Sequence, residues 1–291
     1  MTRGFLVVDK PAGVTSTGVV EEVKRVTGIR KVGHAGTLDP MATGALVVAL
    51  GSATRLIRFI QDQPKEYVAT ALFGVATDTL DAEGAVLTRE EMHFEPAELE
   101  AVASRFVGTI SQVPPMVSAL KQGGRRLYEL AREGQVVERE ARPVEIYELE
   151  LVSVGPGPYP EVTFRVVCGK GFYVRSLADD LASVLGGSAH LTSLRRVRVG
   201  SLRADEGVAL DDLERWESYL LSPSEALVDL PAVSVDAETT RAVSHGMRFL
   251  GEIMGGTPEG EPFRVLDPQG SLIAVYTRTG EQVRPEVVLP A

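Results

Sequence analysis

The chain has 291 residues, of which 44% are hydrophobic and 24% are charged, and it carries a formal net charge of -10. These values are ordinary for a globular protein, and a prior of roughly 150 residues per domain predicts two domains. The single cysteine, Cys168, excludes an internal disulfide framework, and the four histidines lack the spacing of a zinc site. The sequence shows no signal-peptide pattern and no apolar run of the ~18 residues that a membrane span needs, which predicts a soluble cytoplasmic protein.

The first 60 residues predict two strands and two helices around a glycine-rich loop. Residues 4–8 form a short apolar run that predicts a strand. The hydroxyl residues at 15–17 are N-cap candidates for a helix that ends at Gly28. Residues 45–50 are continuously apolar, as in a buried strand, and residues 52–60 predict a second helix.

The loop at residues 33–44 reads GHAGTLDPMATG and presents one imidazole, two hydroxyls and one carboxylate. Its three glycines can adopt positive φ angles, and Pro40 biases Asp39 towards an extended backbone. The carboxylate of Asp39 is therefore expected at the edge of a turn, as a candidate reactive group. Taken alone, the stretch fits a glycine- and proline-rich turn with a solvated aspartate equally well.

The middle of the chain predicts a strand, a helix and an antiparallel pair of strands. Residues 67–73 predict the strand, and residues 96–107 predict an amphipathic helix. The acidic residues at 77–84 lack the alternating spacing of an EF-hand, so an acidic turn is favoured over a calcium loop. Two strands separated by a Gly-Pro-Gly-Pro turn follow at 144–154 and Glu161–Cys168, and they predict the antiparallel pair.

The last third of the chain predicts a helix, a basic strand and a separate β-rich tail. Residues 172–185 predict the helix, and residues 194–199 predict a strand that carries three arginines. An acidic stretch then ends at Pro231, where we place the boundary between domains at 1–230 and 231–291. The tail has strand-like runs on both sides of an Asp-Pro-Gln-Gly turn.

The charges are distributed unevenly along the chain. Residues 1–60 carry eight Lys or Arg against four Asp or Glu, and residues 165–203 carry seven against two. Two other ranges are acidic. Residues 77–105 carry two Lys or Arg against eight Asp or Glu, and residues 204–238 carry one against ten. Because RNA attracts Lys and Arg, this distribution favours one RNA-binding face with acidic faces elsewhere. Charges that only solvate surface helices are the alternative explanation.

Four motifs resemble, in this order, the TruB-type tRNA pseudouridine-55 synthase family: DKPAG at 9–13, GHAGTLDPMATG at 33–44, KEY at 65–67 and KGFYVR at 170–175. The tail is similar to the small PUA-like RNA-binding domain of such synthases. The resemblance implies an α+β fold, in which helices flank a mixed, largely antiparallel central sheet and a β-rich PUA-like domain follows at 231–291. It also implies that the protein binds the T-arm of tRNA, and we expect a monomer without a protein partner. The sequence has no metal-ligand spacing, P-loop or dinucleotide-binding fingerprint, so we expect neither a metal nor a nucleotide cofactor.

The resemblance implies that the protein isomerises uridine to pseudouridine at position 55 of tRNA, on an extruded nucleotide. Asp39 is the candidate catalytic residue, either as a nucleophile towards the sugar or as a base that removes a C2′ proton. Arg175 is the candidate that keeps this carboxylate charged. Tyr67 matches the family tyrosine that packs against the base, although a tyrosine at a strand start is often only a core residue. Asp81 matches a position in the hydrogen-bond network of the active site.

Further residues are candidates for binding the substrate. His34 is expected to fill the stack that the extruded nucleotide leaves. Tyr173 and Leu194 match positions that line the uracil pocket, and core packing is the alternative for both. Contacts to phosphate groups are expected from a set of basic residues: Lys10, Lys121, Arg125, Arg126, Arg142, Arg195, Arg196 and Arg198.

Two other functions fit parts of the sequence. An RNA-binding or RNA-folding protein with a structural Asp39 would bind tRNA without turnover. A glycoside hydrolase also breaks a glycosidic bond, but that chemistry normally needs two catalytic carboxyl groups. The motifs pair Asp39 with Arg175 and Tyr67 instead, so the pseudouridine synthase is the favoured function.

Overall fold

A computed structural model describes residues 2–118, 121–122, 125–127, 135, 137–250, 257 and 259–290. Its strands are, in chain order, β1 Gly4–Lys10, β2 Val32–His34, β3 Thr43–Leu50, β4 Lys65–Phe73, β5 Val75–Thr77, β6 Val86–Arg89, β7 Gly108–Gln112, β8 Lys121–Gln122, β9 Arg125–Arg126, β10 Arg142–Val154, β11 Glu161–Cys168, β12 Ala189–Val199, β13 Leu202–Arg203, β14 Val208–Ala209, β15 Ala232–Ser234, β16 Phe249–Leu250, β17 Pro262–Leu266, β18 Leu272–Thr279 and β19 Gln282–Val288.

The α-helices are α1 Ser16–Thr27, α2 Ile57–Gln61, α3 Pro96–Ser104, α4 Val174–Val184, α5 Pro223–Ala226 and α6 Ala237–Ser244. Shorter-pitched 3₁₀-helices cover Gly51–Leu56, Ala204–Glu206 and Leu210–Tyr219. Within the described ranges, none of these helices has the length and apolar character that crossing a membrane requires.

Helix α1 has the two ends that its sequence predicts. The hydroxyl of Thr15, its N-cap, accepts a hydrogen bond from the Gly18 N–H at 2.9 Å. Gly28 follows its last residue with a φ of 69°, in the left-handed region that glycine adopts without strain. The side chains of Val19, Val20 and Val23 are buried, as the apolar spacing between these caps requires.

The helix predicted at 52–60 is divided between two helical types. A 3₁₀-helix at Gly51–Leu56 precedes α2, so the chain is helical where the prediction places a helix, with a tighter first part. The Thr54 hydroxyl donates to the Gly51 carbonyl at 2.9 Å. Such side-chain bonds compete with the α-helical ladder, and the first turn is tighter for this reason.

The chain divides into two compact units that are both built from separated segments. The first unit comprises Met1–Leu38, Ala45–Gln63 and Val199–Ala291. The second unit comprises Asp39–Gly44 and Pro64–Arg198. The end of the glycine-rich loop therefore belongs with the middle of the chain.

In the second unit, the sheet has the strand order β12-β4-β11-β10-β7. The pairs β4–β11, β11–β10 and β10–β7 are antiparallel, which confirms the pair predicted on both sides of the Gly-Pro turn. β12 runs parallel to the start of β3, with Arg196 opposite Gly44. Helix α4 packs against β4 and buries Leu177, Ala178 and Leu181.

The first unit contains the strands β14-β1-β3, with β2 on β3, and a smaller sheet of order β15-β17-β18-β19-β16 in the tail. A mixed, largely antiparallel sheet with flanking helices and a small C-terminal β-sheet confirms the α+β class. β1 and β14 are parallel, whereas β17, β18 and β19 are antiparallel neighbours.

One hydrophobic cluster of the first unit joins both ends of the chain. It contains Phe5 and Val7 of β1 together with Leu272 and Val275 of β18. Arg264 of β17 also reaches back along the chain, because its guanidinium donates to the carbonyls of Leu230, Ser224 and Val228. The tail thus shares a core with β1, and the domain boundary at residues 230 and 231 stays a prediction.

Candidate active site

The centre of the candidate site is an ion pair between Asp39 and Arg175. Nε of Arg175 lies 3.0 Å from Oδ2 of Asp39. Arg175 is the second residue of α4 and its side chain is 3% exposed, whereas the Asp39 side chain is 35% exposed. An opposite charge at this distance favours the ionised form of a carboxyl group. A carboxylate that solvent can reach is therefore held by a cation that solvent cannot reach.

The remaining nitrogens of Arg175 contact three further acceptors. Nη1 donates to the Thr79 carbonyl at 2.9 Å and lies 3.3 Å from Oδ2 of Asp81. Nη2 donates to the Val117 carbonyl at 2.8 Å. Because a guanidinium is planar, these contacts fix the direction in which Nε points.

The turn between β5 and β6 supplies two of these acceptors. Asp81 is 4% exposed, and its Oδ1 accepts from the Thr79 hydroxyl at 2.5 Å and from the Glu83 N–H at 3.1 Å. The Thr77 hydroxyl donates to the Asp81 carbonyl at 2.8 Å. Both carboxylate oxygens of Asp81 therefore have protein partners. Across the ranges that the structure describes, no three His, Cys, Asp or Glu side chains gather as metal ligands do.

The backbone is held on both sides of Asp39. The buried Ser16 hydroxyl accepts from the Leu38 N–H at 2.9 Å and donates to the Leu38 carbonyl at 3.0 Å. On the other side, the Ala42 N–H donates to the Asp39 carbonyl at 3.1 Å. The last of these bonds closes a tight turn from Asp39 to Ala42.

Tyr67 lies in β4, opposite Val166 of β11. Burial raises the pKa of its phenol, and the positive charge of Arg196 opposes that rise. Arg196 is only 2% exposed. The structure thus places Arg196 beside Tyr67 rather than at the surface, and its expected contact with phosphate stays a prediction.

Gly44 ends the glycine-rich loop where β12 runs beside it. Its φ is 101°, and a Cβ at this position would overlap the carbonyl of Arg196. The parallel pairing of Thr43 with Arg195 and of Gly44 with Arg196 brings the two backbones this close. Only glycine allows both the positive φ and the close approach to the Arg196 carbonyl. The third glycine of the loop therefore lets the segment of Asp39 pack directly against the strand of Arg196.

Tyr173, the N-cap residue of α4, is held by a buried amide. Gln112 of β7 is 2% exposed, and its Nε2 donates to the Tyr173 carbonyl at 3.1 Å while its Oε1 accepts from the Tyr173 N–H at 2.8 Å. Burial raises the pKa of the Tyr173 phenol. Leu194 of β12 is 8% exposed. That these two side chains line a uracil pocket stays a prediction.

Two of the expected RNA contacts lie in the first unit. Lys10 is fully buried, and its ammonium donates to the carbonyls of Pro11 and Val14 at 2.9 and 2.6 Å. A phosphate could reach this ammonium only if these contacts were rearranged. His34 ends β2 and is partly exposed.

The other basic candidates lie in the second unit. The side chains of Lys121 and Arg126 fall outside the described part of the chain. Arg198 is partly exposed, and its Nε donates to Oε2 of Glu66 at 2.6 Å. The side chains that are exposed or partly exposed are Arg125, Arg142 and Arg195. Their contacts with phosphate stay predictions.

Two buried residues of this region, Gln112 and Arg196, are absent from the four motifs, and so is Ser16, which holds Leu38 in the first unit. The alternation of side chains along a strand places Arg196 on the side of Leu194, which is a signal that could have found it. Ser16 and Gln112 hold backbone groups far away in sequence. Since every residue has such groups, no local pattern predicts these two contacts.

Three family models together match residues 24–290 of the chain. The model described as TruB family pseudouridylate synthase (N terminal domain) matches residues 24–174. The model for the tRNA pseudouridylate synthase B C-terminal domain matches residues 175–229. A model described as tRNA Pseudouridine synthase II, C terminal, matches residues 230–290.

Individual relatives match over nearly the whole chain. A tRNA pseudouridine synthase B of Moorella thermoacetica is 41% identical, over 99% of this chain and 100% of that protein. One of Syntrophotalea carbinolica is 42% identical, over 94% of this chain and 92% of that protein. The crystal structure of a Cbf5-Nop10-Gar1 complex contains a chain with a TM-score of 0.78 and 27% identity, over 99% of this chain and 85% of that chain.

Proposed function

This chain belongs to the TruB family of tRNA pseudouridine synthases, and we propose that it isomerises the uridine at position 55, in the T-loop of tRNA, to pseudouridine. The ion pair between Asp39 and Arg175 carries the proposal, since it presents an accessible carboxylate beside a buried cation. Family membership supports an enzyme that makes pseudouridine in tRNA. The position in tRNA and the role of Asp39 are the parts that we propose.

The reaction breaks the bond between C1′ of the ribose and N1 of uracil, rotates the base and joins C5 to C1′. C5 loses a proton and N1 gains one, so the reaction needs no oxidant and no second substrate. Asp39 acts either as a nucleophile at C1′ or as a base at C2′, and the contact with Arg175 favours the charged form that both steps require. Tyr67 packs against the base and assists the proton movement at C5.

The target uridine has to leave the stacked T-loop before a side chain can reach it, which costs a few kcal/mol. We assign His34 to the space that the nucleotide leaves, and Tyr173 and Leu194 to the walls of the uracil pocket. The exposed arginines bind phosphates and position the RNA without reading its bases. A cytoplasmic location and a monomeric state stay predictions.

The test compares Asp39→Asn with a matched control, Asp211→Asn, which removes one negative charge from an exposed residue. Each protein is mixed in excess with an unmodified tRNA transcript, and pseudouridine is mapped along the RNA in single-turnover reactions. Wild type and control are expected to modify position 55. Asp39→Asn is expected to give no detectable product while its tRNA affinity stays within about tenfold, or ~1.4 kcal/mol, of wild type.

Two results would contradict the proposal in different ways. Substantial turnover by Asp39→Asn would remove Asp39 from the chemistry. Tight tRNA binding without any product from the wild type would indicate an RNA-binding protein instead of an enzyme.

A further inference from the structure

Leu80 stands between the two groups that hold Nη1 of Arg175. Its φ is 61°, and among the residues that the structure describes it is the one non-glycine residue with a positive φ. The left-handed region is unfavourable for a leucine, and Gly, Asn or Asp adopt it more readily. Strained backbone of this kind persists only where its surroundings enforce it, and it is concentrated at functional sites.

Because the backbone of Leu80 is left-handed, the carbonyls of Thr79 and Leu80 point to different partners. The Thr79 carbonyl accepts from Nη1 of Arg175 at 2.9 Å, whereas the Leu80 carbonyl accepts from the Leu191 N–H of β12 at 3.0 Å. The next residue, Asp81, forms a parallel β-bridge with Leu191 and directs Oδ2 to within 3.3 Å of the same Nη1. The turn is thus fixed to β12 on one side and to Arg175 on the other.

We propose that Leu80 is a positioning residue of the active site, whose left-handed backbone directs the Thr79 carbonyl and the Asp81 carboxylate onto Arg175 and so fixes the guanidinium that holds Asp39. This inference rests on the proposed function, because it assigns Asp39 to the chemistry. With Leu80 in a right-handed or extended conformation, the chain direction would change between Thr79 and Asp81. One of the two acceptors would then leave Nη1.

The experiment separates the backbone of Leu80 from its side chain. Leu80→Val keeps an apolar side chain, but valine is β-branched and resists the left-handed region. Leu80→Asn removes the apolar side chain, and asparagine tolerates the left-handed region. Leu87→Val on the exposed strand β6 is the matched control. Single-turnover rates, tRNA affinity and thermal unfolding are measured for wild type and for all three variants.

Leu80→Val is expected to lose about tenfold or more in the single-turnover rate at saturating enzyme, because small displacements of reacting groups are costly, while its tRNA affinity stays near that of wild type. Leu80→Asn is expected to react severalfold faster than Leu80→Val. A merely structural role would change the unfolding temperature without this ranking of rates. Equal rates for wild type and Leu80→Val, or a rate for Leu80→Asn as low as that for Leu80→Val, would overturn the proposal.

Two further measurements keep the test decisive. Where Leu80→Val does not fold, Leu80→Ala is compared with Leu80→Asn, since both lack the large side chain and only asparagine tolerates the left-handed region; equal rates would overturn the proposal. Where the wild type forms no pseudouridine, the proposed function fails by itself. In that case, crystal structures of wild type and Leu80→Val test the role of Leu80. That role would be overturned if the Arg175 side chain kept its position and both contacts to Nη1 in Leu80→Val.

Discussion

Asp39 and Arg175 meet at 3.0 Å with very unequal exposure, 35% for the aspartate side chain and 3% for the arginine side chain. Because Arg175 also lies 3.3 Å from Oδ2 of Asp81, it keeps one carboxylate partner when Asp39 is neutralised, whereas loss of Arg175 removes the cation beside both carboxylates. Substitutions on either side of this pair therefore need a measurement of folding beside each measurement of turnover.

Arg175→Lys is expected to abolish most of the turnover. A lysine keeps the positive charge but has no planar fork, so it cannot hold Asp39 while it also binds the carbonyls of Thr79 and Val117. We expect a loss of about 100-fold or more in the single-turnover rate. A fully buried carbonyl left without a donor costs about 1–3 kcal/mol, and these two are partly buried, so the unfolding temperature should also fall.

The control for this substitution is Arg105→Lys at an exposed position after α3, which should behave as wild type. Turnover of Arg175→Lys close to that of wild type would show that the planar guanidinium is not needed to hold Asp39.

Arg196→Gln is expected to act through Tyr67. Glutamine keeps a donor but removes the positive charge that opposes the burial-driven rise in the pKa of the Tyr67 phenol, so that pKa should rise further. We expect the single-turnover rate to fall by about tenfold or more, and Tyr67→Phe to add little in the Arg196→Gln background. If the loss of rate in the double variant equals the combined losses of the two single variants, Arg196 acts independently of Tyr67. Arg105→Gln is the control.

Removal of the tail should destabilise what remains. The hydrophobic cluster that contains Phe5 and Val7 also contains four tail residues: Leu272, Val275, Val287 and Leu289. A fragment of residues 1–230 lacks these four side chains, so the rest of the cluster becomes exposed to solvent. Burying one such side chain contributes about 1.5–3 kcal/mol, and the fragment should melt well below the full chain while it keeps some turnover and binds tRNA more weakly.

A milder substitution tests the same cluster within the full chain. Leu289→Ala should lower the free energy of unfolding by about 2–5 kcal/mol, whereas Leu87→Ala at an exposed position should change it little. A fragment of residues 1–230 as stable as the full chain would show that the tail folds independently of β1.

Asp180 should make the protein less stable as the pH rises. Burial, and secondly the Asp179 carboxylate, raise the pKa of the Asp180 carboxyl from 3.8 to about 6. Because the folded-state pKa is the higher one, this group favours folding below about pH 4 and loses that contribution as the pH rises through 6. Asp180→Asn should therefore raise the unfolding temperature at pH 8 and leave it nearly unchanged at pH 4. An equal change at both pH values would contradict this assignment, and Asp212→Asn at an exposed position is the control.

Elements with local signals could be predicted from the sequence. Helix α1 has a hydroxyl cap and a terminal glycine, and the pair β10 and β11 has a turn of alternating glycine and proline. The segment at 52–60 lacked such a signal, because the bond from the Thr54 hydroxyl to the Gly51 carbonyl depends on side-chain conformation. Its 3₁₀ turn could not be anticipated from apolar spacing alone.

The charged side chains around Arg175 were predictable from the sequence, whereas the backbone groups that contact it were not. Asp39 and Arg175 were named from their motifs, and the structure brings them together. The carbonyls of Thr79 and Val117, which complete the shell around Arg175, belong to groups that every residue carries, so they leave no trace in the sequence. Leu80 even has a conformation that leucine disfavours, because contacts made by its neighbours outweigh its local preference.

Gly28 and Gly44 would give different profiles in a mutational scan, although both have a positive φ. Around a Cβ at Gly28 there is open space, so asparagine, which tolerates this backbone, should be accepted there. At Gly44 every replacement would meet the carbonyl of Arg196, whatever its size or polarity. Its profile should be uniformly intolerant, and suppressor substitutions that rescue a Gly44 variant should fall in β12.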